Sequence, residues 1–240
     1  ILWIHGGGYL FGKADCASLW PILLADQVRC VSVVLDYRLA PEDPYPAGLE
    51  DCYATLLWMV QAADELGIDT ERIIVGGESA GGGLTAALTL LARDRRGPKI
   101  FFQMPLYPMI DDRNITPSSY EITDGGSWNR EANISAWGMY LRNHKEQEIP
   151  IYAAPSRAKD LSNLPPTFTF VGDLEVYRDE TIEYTQRLMQ AGVPVEFHVY
   201  PGCTHGFEIF YKGTELAKRA ISTGVDALKN AINSKKPKST

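Results

Sequence analysis

The sequence Gly-Glu-Ser-Ala-Gly at residues 77–81 has the G-x-S-x-G pattern of a serine nucleophile. It follows an apolar run at residues 72–76 and opens a segment rich in Ala and Leu, so we expect a sharp turn between a strand and a helix. Such a turn strains the serine backbone and requires small residues on either side. The helix N-terminus also stabilises negative charge near the serine oxygen. Ser79 is therefore the predicted nucleophile.

A second motif, His-Gly-Gly-Gly at residues 5–8, follows an apolar run at the start of the chain. Consecutive glycines can turn their amide groups towards one point, where they would stabilise the oxyanion that forms when a serine attacks an ester carbonyl. We expect the donors to be the N–H groups of Gly7, Gly8 and Ala80, the last being the residue after the nucleophile. A phosphate-binding loop is excluded, because Lys and Ser or Thr would follow its last glycine, whereas Tyr-Leu-Phe follows here.

A serine nucleophile needs a base, and the chain has four histidines. His205 lies in a loop directly after the last apolar run, where a base can reach Ser79. His198 lies inside that run and is predicted to be structural, while His144 lies in a polar segment and is expected to be exposed. His5 belongs to the glycine loop and is expected to brace it. His205 is therefore the predicted base.

The base in turn needs a carboxylate, which orients the imidazole and stabilises its protonated form. Where a G-x-S-x-G serine ends a strand, the chain order is Ser, then Asp or Glu, then His. The apolar run at residues 167–172 is followed by three acidic residues that satisfy this order, namely Asp173, Glu175 and Asp179. Spacing alone leaves all three open.

Strand-like and helix-like segments alternate along the chain, which predicts a parallel sheet covered by helices. Continuous apolar runs are typical of parallel strands that are buried on both faces. Six such runs lie at residues 1–5, 30–36, 72–76, 100–105, 167–172 and 195–200. Helical spacing of apolar residues occurs at residues 49–66, 81–93, 179–191 and 215–232.

The segment at residues 111–164 interrupts this alternation with polar stretches and scattered aromatic residues. A structureless loop of that length is uncommon in a compact domain, so we expect one or two helices, including one at residues 129–142. The sequence predicts a single α/β domain over residues 1–240, in which 111–164 is a partial lid over the end of the sheet.

The composition of the chain indicates which kinds of binding partner and which cellular location to expect. The 240 residues are 45% hydrophobic and 22% charged, as in an ordinary globular domain. A net charge of −7 disfavours nucleic acid and anionic membranes, and no apolar stretch reaches the roughly 18 residues of a membrane-spanning helix. The four cysteines have no paired or metal-binding spacing, so we expect no metal site and a reducing, cytoplasmic location.

Three motifs together resemble the hormone-sensitive-lipase-like esterases, a family of bacterial carboxylesterases related to arylacetamide deacetylase. They are His-Gly-Gly-Gly at residues 5–8, Asp-Tyr-Arg-Leu-Ala-Pro-Glu at 36–42, and Gly-Glu-Ser-Ala-Gly-Gly at 77–82. The resemblance extends over most of the chain. It implies the α/β-hydrolase fold and cofactor-free hydrolysis of small, short-acyl esters.

The resemblance also bears on the acid and on the N-terminal part of the fold. The family's acid loop, D-P-L-x-D-E, falls on residues 175–180, which places the acid at Glu175 and puts Val176 where the family has proline. Asp179 would then anchor the loop or cap the next helix. Family members carry cap helices and the first sheet strands before the glycine loop, so we expect those parts to be missing from this chain.

The combined prediction is a serine carboxylesterase that acts through Ser79, Glu175 and His205 by way of an acyl-enzyme. Aromatic side chains beside the motifs suit an apolar acyl or alcohol group. The predicted substrate-binding residues are Tyr9, Phe11 and Phe207, and Trp128 is also expected near the pocket. A small-molecule-binding protein of the same fold is one alternative, although such relatives lose the histidine that is present here; an amidase or peptidase with the same triad is another. Family members often dimerise through the last strand and helix, so a homodimer is expected.

Overall fold

A computed structural model describes residues 1–16, 19–124, 126–144 and 149–234 of the chain. Six strands form one sheet in this part of the chain. They are β1 (Leu2–Ile4), β2 (Val33–Val34), β3 (Ile74–Glu78), β4 (Phe102–Leu106), β5 (Thr167–Leu174) and β6 (Val195–Thr204). Each of the six predicted runs overlaps one of these strands, and β3, β4, β5 and β6 extend beyond the C-terminal ends of their runs.

The sheet has the order β2-β1-β3-β4-β5-β6, and all of its neighbouring strands are parallel. Trp3 of β1 pairs with Val34 on one side and Gly76 on the other. Parallel neighbours need crossover connections, and helices cover the sheet along those connections. The predicted α/β-hydrolase architecture is confirmed.

Side chains of each central strand alternate between two apolar cores. In β1, Leu2 and Ile4 pack into one core, while Trp3 packs into the other together with Ile1, the residue before the strand. The apolar runs in the sequence are continuous rather than alternating because both faces of the sheet are covered.

Nine α-helices lie in the described residues. They are α1 (Leu19–Val28), α2 (Ala47–Gln61), α3 (Ala63–Leu66), α4 (Ala80–Asp94), α5 (Pro117–Glu121), α6 (Arg130–Tyr140), α7 (Arg178–Gln190), α8 (Phe207–Phe210) and α9 (Glu215–Asn233). Side chains of α2 and α4 share one core, and side chains of α1 and α9 share the core on the opposite face. The predicted helices are all present, although the one at residues 49–66 divides into α2 and α3.

The described residues between 111 and 164 include two α-helices. These are α5 and the predicted helix, observed as α6. The side chain of Asn129 caps α6 by accepting a hydrogen bond from the Ala132 N–H at 3.0 Å. Helix α1 was not predicted. Of the helices in the described ranges, none is both long enough and apolar enough to cross a bilayer.

Candidate active site

Ser79 lies at the turn between β3 and α4, as predicted. Its φ of 57° and ψ of −119° are unusual for a residue with a side chain. Neighbouring backbone holds it there, because its N–H donates to the Leu106 carbonyl at 3.0 Å and its carbonyl accepts from the Met109 N–H at 3.0 Å. A side chain at Gly77 or Gly81 would collide with the backbone of β1, which is why both flanking positions are glycine.

His205 follows β6 and reaches the serine across the C-terminal edge of the sheet. Its Nε2 lies 2.9 Å from the Ser79 Oγ. The backbone of His205 is anchored separately, because the Ser127 hydroxyl donates to its carbonyl at 2.6 Å. Both residues are more than nine-tenths buried, so a proton can move between them with little competition from water.

Of the three acidic residues left open by spacing, Glu175 is the one that contacts this histidine. Its Oε1 lies 3.3 Å from the His205 Nδ1, and the carboxyl group is fully buried. Burial raises the pKa of Glu175, while the contact with His205 acts in the opposite direction.

The other two carboxylates serve local structure. Asp173 accepts a hydrogen bond from the Gly202 N–H at 2.6 Å, which joins the ends of β5 and β6. Asp179 accepts from the Ser118 N–H at 2.7 Å and pairs with Arg178, so it anchors its loop as expected. Ser79, His205 and Glu175 therefore form one hydrogen-bonded chain, an arrangement that can withdraw the proton from a serine hydroxyl.

The glycine loop lies beside Ser79 and follows β1. Gly7 and Gly8 line the cavity above the serine and have φ values of 115° and 61°. Within the described residues, the N–H groups of Gly7, Gly8 and Ala80 make no hydrogen bond. Three free N–H groups next to a serine hydroxyl can stabilise an oxyanion.

A buried carboxylate that no sequence motif had marked supports this loop. Glu78 accepts hydrogen bonds from the Gly6 N–H at 3.2 Å and from the Trp3 indole N–H at 2.7 Å. Burial raises its pKa to about 7. His5 braces the loop from the other side, since its Nδ1 lies 2.8 Å from the Gly6 carbonyl and its ring stacks on Tyr37.

Replacing Gly8 with alanine is expected to lower kcat by about 10²-fold, the effect of losing one oxyanion donor. The added Cβ would collide with the Trp128 ring, so the loop must shift. Gly67→Ala is the matched control: its φ of 65° resembles that of Gly8, but no atom lies within 4 Å of the added Cβ. Both variants should lose about 1 kcal/mol of folding stability from the left-handed backbone. Equal kcat values for the two would contradict a role for Gly8 in the site.

The cavity above Ser79 has a volume of about 350 Å³. Its walls combine the glycine loop and His205 with apolar side chains from three separate segments. These side chains are Phe11, Trp128, Ile209 and Phe210. Of the three predicted substrate-binding residues, Phe11 lines the cavity and is 63% exposed.

The predictions for Tyr9 and Phe207 need correction, because the structure places both side chains in the core. Tyr9 has a φ of 64°, which turns its ring beneath the loop, and its hydroxyl donates to the Met109 carbonyl at 2.7 Å. Phe207 packs against Phe170 and Tyr200. Trp128, which was expected near the pocket, lines the cavity, and so does Phe210, which was not predicted. Phe210 follows His205 by only five residues, and this closeness in sequence to the predicted base could have indicated that it lines the cavity.

Known proteins resemble the chain over nearly its whole length. A family profile described as alpha/beta hydrolase fold matches residues 1–209. Carboxylesterase NlhH from Mycobacterium tuberculosis is 38% identical over an alignment of 240 positions that covers 97% of this chain and 74% of that protein. Ethyl acetate hydrolase from Pseudomonas putida is 30% identical over 235 positions, with 97% of this chain and 73% of that protein covered.

Solved structures agree with the sequence matches. The structure of a bacterial heroin esterase superposes with a TM-score of 0.94 at 41% identity, covering 97% of this chain and 74% of that one. These similarities agree with the order of the strands and with the serine at the strand–helix turn. The chain therefore belongs to the hormone-sensitive-lipase-like family of carboxylesterases with the α/β-hydrolase fold.

Proposed function

We propose that this carboxylesterase cleaves small, short-acyl esters by two-step acyl transfer, with Ser79 as nucleophile, His205 as base and Glu175 as the acid that orients it. The observation that carries the proposal is the unbroken contact from the Ser79 Oγ to the His205 Nε2 at 2.9 Å and from the His205 Nδ1 to the Glu175 Oε1 at 3.3 Å. This chain of contacts opens onto a cavity of suitable size for a small ester.

In the first step, His205 accepts the Ser79 proton as the serine oxygen attacks the ester carbonyl. The carbonyl oxygen becomes negatively charged next to the N–H groups of Gly7, Gly8 and Ala80, which stabilise it. His205 then gives its proton to the departing alcohol, leaving the acyl group on Ser79. In the second step, His205 activates water, which attacks the acyl-enzyme and frees the acid.

The size and chemistry of the cavity support short, apolar substrates. Its volume of about 350 Å³ lies at the small end of the range for ligand pockets, and its lining includes the apolar side chains of Phe11, Trp128 and Phe210. The similarity to an ethyl acetate hydrolase agrees with a two-carbon acyl group.

Residues 111–164 are part of the proposal as a partial lid. Ser127 and Trp128 from this segment line the cavity, and the Ser127 hydroxyl contacts the His205 carbonyl. The Trp128 indole N–H donates to the Asn133 side chain at 3.2 Å, which ties the cavity wall to α6. The lid would exclude water from the acyl-enzyme on one side.

Hydrolysis of p-nitrophenyl esters from acetate to dodecanoate tests the substrate class. We expect kcat/KM to be highest for acetate or butyrate and to fall steeply beyond hexanoate, because a longer chain would leave the cavity and expose apolar surface to water. p-Nitroacetanilide, in which an amide replaces the ester of p-nitrophenyl acetate, should be cleaved far more slowly. A preference for dodecanoate, or faster cleavage of the anilide, would contradict the proposed substrate class.

A further inference from the structure

The imidazole of the base contacts two tyrosine rings, neither of which belongs to the three residues of the proposed mechanism. The ring of Tyr107 meets the imidazole of His205 edge-on, with centroids 5.0 Å apart and planes at 79°. The ring of Tyr177 does the same at 5.2 Å and 73°. Because the imidazole must point Nε2 at the serine in every step, side chains that fix its plane affect the rate of proton transfer.

Tyr107 is itself held by a buried carboxylate. Its hydroxyl donates to the Glu208 Oε1 at 2.5 Å, and the Trp20 indole N–H donates to the same oxygen at 3.2 Å. Glu208 is fully buried on α8, three residues after His205, and does not line the cavity. Its other oxygen, Oε2, has no hydrogen-bond partner among the described residues.

A carboxylate in this position is costly for the fold. Burial raises the pKa of Glu208 to about 7, and an unpartnered buried oxygen adds a further desolvation cost. An apolar side chain of similar volume would fill this part of the core at less cost. The groups that face Glu208 are Tyr107, His205, Glu78, Trp20 and Cys203. Of these, His205 is the group that gains positive charge in the proposed mechanism.

We propose that Glu208 is a positioning residue for His205 and acts through Tyr107. The carboxylate holds the tyrosine hydroxyl, the tyrosine ring fixes the plane of the imidazole, and the negative charge behind the ring stabilises the imidazolium when His205 takes the serine proton. This inference rests on the proposed function, in which His205 is the base.

The test compares Glu208→Gln, Tyr107→Phe and the double variant on p-nitrophenyl acetate. We expect Glu208→Gln to lower kcat about tenfold with KM within about twofold, since a charge-assisted hydrogen bond is lost outside the substrate cavity. Tyr107→Phe should lower kcat by a similar factor, and the double variant should be no slower than the slower single variant, because both changes break one contact.

The pH dependence of the kcat ratio between wild type and Glu208→Gln distinguishes a charge effect from a loss of packing, because a loss of packing would lower the rate equally at every pH. Below about pH 6, Glu208 is neutral in the wild type and resembles glutamine, so the rates of wild type and Glu208→Gln should converge. Above about pH 8 it is ionised, and the full tenfold difference should appear. A ratio that does not change with pH would overturn the proposal.

Matched controls separate this effect from damage to the fold. Glu215→Gln alters an exposed carboxylate, and Tyr184→Phe removes a buried hydroxyl that has no partner among the described residues, so both should retain wild-type kcat. Circular dichroism and thermal melting check that each variant is folded. If Glu208→Gln is unstable, Tyr107→Phe tests the same contact from its other side.

Unchanged kcat in the folded Glu208→Gln variant, or multiplicative losses in the double variant, would overturn the role of Glu208. An inactive wild type would instead count against the proposed function.

Discussion

Replacement of Ser79 by alanine is expected to lower kcat for p-nitrophenyl acetate by at least about 10⁴-fold. The variant keeps the glycine loop and the cavity but has no oxygen that can form the acyl-enzyme, so the remaining rate comes from the oxyanion donors and from substrate positioning. Steady-state kinetics measures the loss, and the variant should still bind the unreacted ester. Mass spectrometry of wild type quenched during turnover should find the acyl group on the peptide that contains Ser79.

The cavity offers a matched control, because it is lined by a second serine, Ser127. Ser127→Ala removes the hydrogen bond to the His205 carbonyl but leaves the contact between His205 and Ser79 intact. Its kcat should stay within about tenfold of the wild type. If Ser79→Ala kept most of its activity while Ser127→Ala lost it, the assignment of the nucleophile would be wrong.

The second large effect is expected at the acid. Glu175→Gln preserves the shape of the side chain but removes its charge and allows the amide N–H₂ to face the imidazole, which favours the wrong tautomer of His205. The expected loss in kcat is about 10³- to 10⁴-fold, with little change in KM. The variant should fold normally, because burial already raises the pKa of this carboxyl and a neutral group is less costly there.

Asp173→Asn provides the discriminating control. Asp173 lies two residues earlier and was equally open on spacing, yet its carboxylate contacts the Gly202 N–H at 2.6 Å and not the histidine. Its amide counterpart can still accept that hydrogen bond, so kcat should change by no more than a few-fold. A large loss in Asp173→Asn together with a small loss in Glu175→Gln would transfer the role of acid to Asp173.

Ser79 and His205 could be recognised from the sequence because each has a characteristic position relative to a predicted strand. The residues around Ser79 must be small for the turn to form, and His205 must follow the last strand to reach it. The acid was harder to identify from spacing, because the register of β5 and β6 shifts between Gly172 and Leu174 and changes the direction of the side chains that follow. The family pattern, rather than spacing, pointed to Glu175.

The incorrect expectations have a different physical cause. Tyr9 follows the glycine loop directly, but its backbone has a positive φ and its ring lies in the core. The residue type does not predict that conformation, because positive φ values are uncommon for residues other than glycine. Glu78 and Glu208 were overlooked because the residue type alone does not show whether a glutamate is buried or exposed. Each accepts a hydrogen bond from a tryptophan that is distant in sequence, Glu78 from Trp3 and Glu208 from Trp20.

The backbone of Ser79 has a consequence for how proteins of this kind change under selection. Its φ of 57° and ψ of −119° are held by hydrogen bonds to the ends of neighbouring segments, and a conformation of this type costs roughly 1–3 kcal/mol. Glycine would adopt it without that cost, so the mutation that removes the nucleophile is also one that favours the folded chain. Directed evolution towards heat resistance alone would therefore enrich inactive sequences at this position. A selection that also requires turnover is needed to keep the serine.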